Sequence, residues 1–374
     1  MTLYDELGVR RLINASTTFT VMGGSLMPPE VLDAMRAAAG SFIDMHEFHE
    51  KAGAELARLT RNEAAYATSG CAAAIVLAIL GCRTGGELMK IAALPDGDSL
   101  PNEVVMHAAH RMPYDPALQL AGARIRQVGN VLQTFDWELE AAINERTAAV
   151  FWVAGSHMAP GALPLPDVVR IAHARGVPVI VDAAAQLPPV SNLWHFTVSQ
   201  GADLALFSGG KALRGPQASG LMVGRADLVA AARANGAPNQ RLARALKAGK
   251  EEIAGLVAAV RRYVSLDHGE LADQWYATCR RWAESLAELP GLSVAVDDRN
   301  EAGQPVPRVR VQVDEGVVGR SGATIVAGLR ERDPGVVVLP DGADAFYIGA
   351  DLLQCGEEEI VLERVRSEVT PIRR

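Results

Sequence analysis

Six short apolar runs punctuate the first two thirds of the chain, at 64–68, 103–106, 148–153, 177–181, 202–207 and 219–223, and 121–128 continues the same rhythm. Runs this short, apolar throughout rather than alternating, predict strands covered on both faces, as in a parallel sheet flanked by helices. Between them apolar residues recur at helical spacing. The clearest cases are 29–61, with Val31, Leu32, Met35, Phe42, Met45, Leu56 and Leu59 on one face, then 72–80, 137–144, 166–175 and 226–235. Strand alternating with helix predicts an α/β fold with a mostly parallel sheet and right-handed crossovers. Further on, 251–289 reads as helix, and strands are expected near 292–296, 309–313, 336–339 and 346–349 before a closing helix at 357–369. Three parts follow: an N-terminal segment over 1–45, a large domain over 46–250, and a linker helix with a smaller α+β domain over 251–374.

The strand ends carry the chemistry. The run at 177–181 ends in Asp182, and the run at 202–207 leads into Ser208-Gly209-Gly210-Lys211. Ligands of open α/β sheets collect at the carboxyl ends of strands, so an acid and a lysine are expected there side by side. That pairing suits pyridoxal 5'-phosphate (PLP). A lysine amine condenses with the cofactor's aldehyde, and a carboxylate facing the pyridine nitrogen keeps it protonated. Lys211 takes the first role and Asp182 the second. Singly, an Asp at a strand end also serves as a cap or turn residue, and a Lys in a Gly-rich loop is ordinarily solvated. The combination is what is specific. Between 64–68 and the apolar helix lies Ser69-Gly70-Cys71, a small-residue turn that leaves N–H groups unpaired at the positive end of a helix dipole. Ser69, Gly70 and Cys71 are assigned to the PLP phosphate, and Ser208 is grouped with the cofactor contacts.

Three segments, VPVIVDAAAQLPP, GADLALFSGGKALRGPQ and ALKAGKEEIAGL, resemble the family of PLP-dependent enzymes related to bacterial selenocysteine synthase, nearest to its D-glucosaminate-6-phosphate ammonia-lyase branch. The resemblance extends from LGVRRLINAS to about residue 266 and weakens beyond. It implies fold type I, with a seven-stranded-type sheet in the large domain and a small domain that closes on it. It also implies that the turn at 69–71 holds phosphate and that a flat side chain from the segment EVVMHAAHRMPYD stacks on the ring. His110 is the candidate for stacking or proton shuttling, with a purely structural histidine as the alternative. Arg111 beside it is a candidate for an anionic substrate, and Ser156 or His157, at the carboxyl end of the strand at 148–153, for contact with cofactor or substrate. The basic stretch at 238–250 resembles a part of the transferase that binds the anionic co-substrate, which puts Arg244 and Lys247 on a substrate phosphate or carboxylate. Lys247 stands where the transferase has a second arginine, and losing that bidentate fork argues against the same co-substrate. Arg308 and Arg310 are further carboxylate candidates, though an exposed strand explains them equally.

The reaction that the resemblance implies is α,β-elimination from a β-hydroxy amino acid to a 2-keto acid and ammonia, with a sugar-derived amino acid as a candidate substrate. A racemase or retro-aldolase would use the same lysine and cofactor. Seryl-tRNA selenium transfer is disfavoured, because the chain begins almost at once with the catalytic core. A non-catalytic protein of this fold is disfavoured by Asp182 and Lys211.

Composition changes this picture little. In 374 residues, 49% hydrophobic and 21% charged is ordinary for a folded globular chain. A net charge of −8 offers nucleic acid or an anionic membrane no global attraction. No stretch reaches the ~18 apolar residues of a membrane span, and the N-terminus lacks a secretory pattern. Cys71, Cys82, Cys279 and Cys355 form no CxxC or metal-like spacing, which fits a reducing cytoplasm. His46 and His49 stand three apart, not the four of HExxH, so no metal is expected and both read as surface or interface residues. The expected partners are a small amino acid and a second copy of the chain, in a homodimer or larger assembly.

Overall fold

The computed structural model describes residues 2–95, 97 and 99–370. Ser25–Leu266 forms one compact unit; the other joins the start of the chain, through Gly24, to the part from Asp267 onward. The sequence placed these boundaries at 45/46 and 250/251, and packing explains the difference. The helix Lys250–Ser265 buries Ile253, Leu256, Val260 and Tyr263 in the core of the large unit. At Gly255 a Cβ would meet Pro216 Cγ at 2.6 Å and Met35 Cγ at 2.8 Å, so this helix lies tight against the segment that begins with Pro29–Ala39. At the other end, Leu12–Asn14 pairs in parallel with Gly335–Val337, which ties the N-terminus to the smaller unit.

The large unit holds a seven-stranded sheet in the order Ala64–Thr68, Gly220–Gly224, Leu204–Ser208, Val179–Asp182, Thr147–Val153, Glu103–His107, Arg124–Val128. The last five of these run parallel. Gly220–Gly224 is antiparallel to both its neighbours, so the sheet is mostly parallel as expected; which strand departs cannot be read from the sequence, because a uniformly apolar run carries no sign of direction. Val104, Val105, Met106, Ile180, Val181 and Leu206 are completely buried. The helix Cys71–Thr84 is buried on nearly every side, which accounts for its apolar residues all round.

The single helix expected over 29–61 is two, Pro29–Ala39 and Met45–Thr60. The first stops at Gly40, and Asp44 restarts the chain by accepting the His46 and Glu47 N–H groups at 2.7 and 3.1 Å. This second register turns His49 inward. It is 4% exposed, which corrects its reading as a surface residue.

The smaller unit has a four-stranded antiparallel sheet ordered Leu339–Asp341, Ala345–Gly349, Arg308–Val313, Leu292–Asp297. The strand expected at 336–339 splits at Val338, one half joining the two-stranded sheet and the other this one. Trp282, Phe346, Val361 and Val365 fill the core, and Glu357–Val369 is helical as the sequence predicts. Arg308 lies 3.7 Å over the Tyr347 ring and Arg310 Nε meets Asp341 at 2.8 Å, so both arginines have partners within their own unit. Among the described residues no helix is long and apolar enough to cross a membrane.

Candidate active site

Asp182 closes the strand Val179–Asp182 at the centre of the sheet, in register with Val153 on one side and Leu206 on the other. The Lys211 turn leaves the strand Leu204–Ser208, so the acid and the lysine issue from adjacent strand ends. Asp182 is 6% exposed. Its Oδ1 accepts the Ala184 N–H at 3.0 Å and the Cys71 thiol at 3.7 Å. Burial raises its carboxyl above the usual range, opposed by the Ala184 N–H, the Lys211 charge and the Cys71 thiol. Oδ2 takes no hydrogen bond from any described residue.

The lysine turn is built for close approach. At Gly209 a Cβ would stand 2.0 Å from Ser219 Oγ, and at Gly210 it would stand 2.6 Å from Gln217 Cα. Only glycines let 209–210 lie against 216–219. The turn is then pinned: Ser25 Oγ donates to the Lys211 carbonyl at 2.7 Å, the Ser25 N–H donates to the Gly210 carbonyl at 2.9 Å, and the Arg214 N–H reaches the Lys211 carbonyl at 2.9 Å. The Lys211 charge acts on both Asp182 and Cys71, so the three groups share one site.

The turn expected to hold phosphate, Ser69-Gly70-Cys71, follows Ala64–Thr68. Gly70 has φ 116°, a left-handed conformation that favours glycine, and caps Cys71–Thr84 without a side chain. The first intrahelical bond is Ala74 N–H to the Gly70 carbonyl, which leaves the N–H groups of Cys71, Ala72 and Ala73 ahead of it for an anion. Ser69 uses its hydroxyl to hold the Leu246 carbonyl at 3.0 Å. That bond fastens the short turn Arg244–Leu246 beside the 69–71 turn. Arg244 and Lys247 are exposed there, and neither forms an ion pair among the described residues. Ser208, half-buried, donates its N–H to the Ala184 carbonyl at 3.4 Å and links the two strand ends.

Three other expected residues make no hydrogen bond to Asp182, Cys71 or Lys211 among the described residues. His110 is completely buried and packs edge-on against Trp152 and His107, with ring centroids 5.4 and 5.0 Å away. Its Nδ1 accepts the Val153 N–H at 3.2 Å. Burial first, then His107, lowers it to about 3, opposed by the Met158 backbone, so the ring is neutral and has no exposed face for stacking. Arg111 is engaged by Asp115 at 2.5 Å and Gln127 at 3.1 Å. His157 is exposed and lies over Gly155, where a Cβ would come within 2.8 Å of its ring. Two contributions escaped the sequence: Ser25 as anchor of the lysine turn, and the Cys71 side chain as a donor to Asp182. Each joins residues far apart in the chain, and no local pattern marks such pairs.

The architecture is that of fold-type-I PLP-dependent enzymes. A family model described as L-seryl-tRNA selenium transferase (SelA) matches residues 47–278, and the chain belongs to that family. It is similar to D-glucosaminate-6-phosphate ammonia lyase of Salmonella typhimurium, 36% identical over 88% of this chain and 86% of the relative. A 5'-C-glycyluridine monooxygenase-decarboxylase of a Streptomyces species is 35% identical over 96% of this chain and 90% of its own. A solved structure of D-glucosaminate-6-phosphate ammonia-lyase superposes with a TM-score of 0.87 at 33% identity, covering 99% of this chain and 98% of that one. L-seryl-tRNA(Sec) selenium transferase of Desulfovibrio desulfuricans is 31% identical, and the match spans 63% of its length.

Proposed function

We propose that this chain is a PLP-dependent ammonia-lyase that converts a sugar-derived β-hydroxy amino acid to a 2-keto acid and ammonia. The carrying observation is the Asp182 carboxylate, buried between the Cys71 thiol and the Lys211 charge with Oδ2 unengaged. These residues fit the cofactor: Oδ2 is left to face a ring N–H, the N–H groups that open Cys71–Thr84 suit a phosphate, and Lys211 supplies the amine. When bound, PLP supplies the electron sink that makes an α proton removable.

The chain's own groups do the rest. Asp182 would accept a ring N–H of the cofactor at Oδ2 and so keep that proton in place. Lys211 takes the α proton from the substrate, and a proton returned to the departing β-hydroxyl lets it leave as water. Hydrolysis of the resulting enamine consumes one water and releases ammonia, so the net change is the loss of ammonia from the substrate. Arg244 and Lys247, held in place through Leu246, bind the substrate's anionic end. The working protein is at least a dimer, acts in the cytoplasm and requires no nucleic acid.

The similarity to the glycyluridine enzyme favours a second reading, oxidative decarboxylation of an amino acid on a nucleoside-like framework. One experiment separates them. The PLP-loaded protein is incubated with D- and L-3-hydroxy amino acids, with and without a terminal phosphate, while ammonia, keto acid, oxygen and carbon dioxide are followed. Ammonia with keto acid and no oxygen uptake is the expected result. Oxygen uptake with carbon dioxide release would replace the first reading by the second.

A further inference from the structure

A cleft of about 270 Å³ lies between Met45–Thr60 and Ala226–Asn235, lined by His46, His49, Glu50, Arg233, Pro238 and Asn239 among others. His49 is its buried wall. The ring is 4% exposed, and neither nitrogen has a hydrogen-bond partner among the described residues. Most buried polar groups are paired, and leaving one unpaired destabilises a fold. Arg233 is half-buried and close enough to act on both His49 and Tyr66, yet forms no ion pair among the described residues. A half-buried guanidinium without a carboxylate, next to an unpaired imidazole, is an arrangement that an anion completes. Glu50 is exposed at the rim, where its carboxylate is free to turn to water.

We propose that this cleft is a binding site for a small phosphate- or carboxylate-bearing molecule, gripped by Arg233 and hydrogen-bonded by His49, with His46 at the entrance. Its volume suits a phosphate with a few attached carbons rather than a nucleotide. The site is separate from the lysine turn. One stretch of chain runs from it to the 69–71 turn: Gly236 bridges to Ala243, and the Leu246 carbonyl is held by Ser69. His49 sits at about 4, lowered first by burial and then by the Arg233 and His46 charges. The charged or titratable groups facing it are His46, Glu50, Arg233 and the Tyr66 phenol, itself pushed up to about 12 by burial. An anion in the cleft favours the protonated imidazole, so binding strengthens as pH falls.

The test uses PLP-loaded protein labelled with 15N-histidine, so that the cofactor occupies its own phosphate site. Inorganic phosphate is expected to shift the His49 ring resonances saturably, and Arg233→Gln to weaken that binding roughly tenfold or more. Sulfate, whose charge is constant from pH 8 to 6, is expected to bind more tightly at pH 6. His49 resonances that stay unmoved in the wild-type protein, or phosphate binding unchanged in a folded Arg233→Gln, overturn the proposal. Gluconate 6-phosphate identifies the source: affinity above that of inorganic phosphate at the same resonances assigns the site to a sugar acid phosphate, and equal affinity to the free anion. Both keep the site. Either result is independent of whether the lysine site eliminates ammonia.

Discussion

The thiol of Cys71 donates to Oδ1 of Asp182 across 111 positions of sequence, at 3.7 Å. Burial pushes that thiol well above its usual range, so it keeps its proton and remains a donor. The first residue of the helix Cys71–Thr84 therefore also steadies the buried acid, and on the proposed reading one position couples the phosphate and ring ends of a coenzyme site.

Removing the donor separates these duties. Cys71→Ala is expected to lower stability by about 0.5–1.5 kcal/mol, the ordinary worth of one hydrogen bond, and to raise the Asp182 carboxyl further. Cys71→Ser restores a donor and is expected to recover most of both. Urea unfolding, with ammonia release alongside, distinguishes the pair; equal losses in the two variants would mean that the thiol contributes only volume.

Lys211→Arg keeps a positive charge but removes the amine. Activity is expected to fall by about 10²–10⁴-fold or more, the range for loss of a positioned proton-transfer group, while Asp182 retains a cationic neighbour. Loss of the visible absorbance of bound cofactor, with native-like unfolding, is the accompanying signature. Retained turnover would remove Lys211 from the mechanism.

Gly210→Ala forces a Cβ to within 2.6 Å of the Gln217 backbone. Backbone there cannot swing aside as a flexible side chain does, so a cost of about 1–3 kcal/mol is expected, together with displacement of the lysine. Denaturant midpoints and cofactor absorbance report the two effects separately.

Ser69→Ala frees the Leu246 carbonyl and loosens the segment that presents Arg244 and Lys247. The expected result is a rise in KM of about 2–10-fold with kcat little changed, matching the worth of one hydrogen bond. A fall in kcat at constant KM would place the basic pair elsewhere in the reaction.

The pH dependence of stability follows from three buried histidines. His49 and His107 are lowered to about 4 and His110 to about 3, each chiefly by burial, from an ordinary 6.5. The folded chain thus binds fewer protons than the unfolded chain between those values. Stability should be fully present above pH 6.5 and decline as pH falls towards 4, each group contributing up to about 1.4 kcal/mol per pH unit. Denaturant midpoints measured from pH 7.5 to 4.5 check this, and a flat profile would contradict the burial of these rings.

The strand runs were legible because a sheet covered on both faces needs continuous apolar segments, and Ala64–Thr68 and Glu357–Val369 fall where the sequence put them. The adjacency of Asp182 and Lys211 was legible because strand ends collect ligands. The direction of Gly220–Gly224 was not, since an apolar pentapeptide reads the same either way. Nor was the inward turn of His49. It depends on the break at Gly40 and the restart at Asp44, a shift of register that hydrophobic spacing alone blurs. His110 followed its neighbours in sequence to the strand end, but Trp152 and His107 enclose its ring.

The pairing of Leu12–Asn14 with Gly335–Val337 also sets a timetable for synthesis. The segment at 12–14 has no strand partner until residues 335–337 have been made, whereas Ser25–Leu266 forms a compact unit from residues made well before them. A nascent chain arrested near residue 300 should accordingly hold a protease-resistant middle and a cleavable leading end.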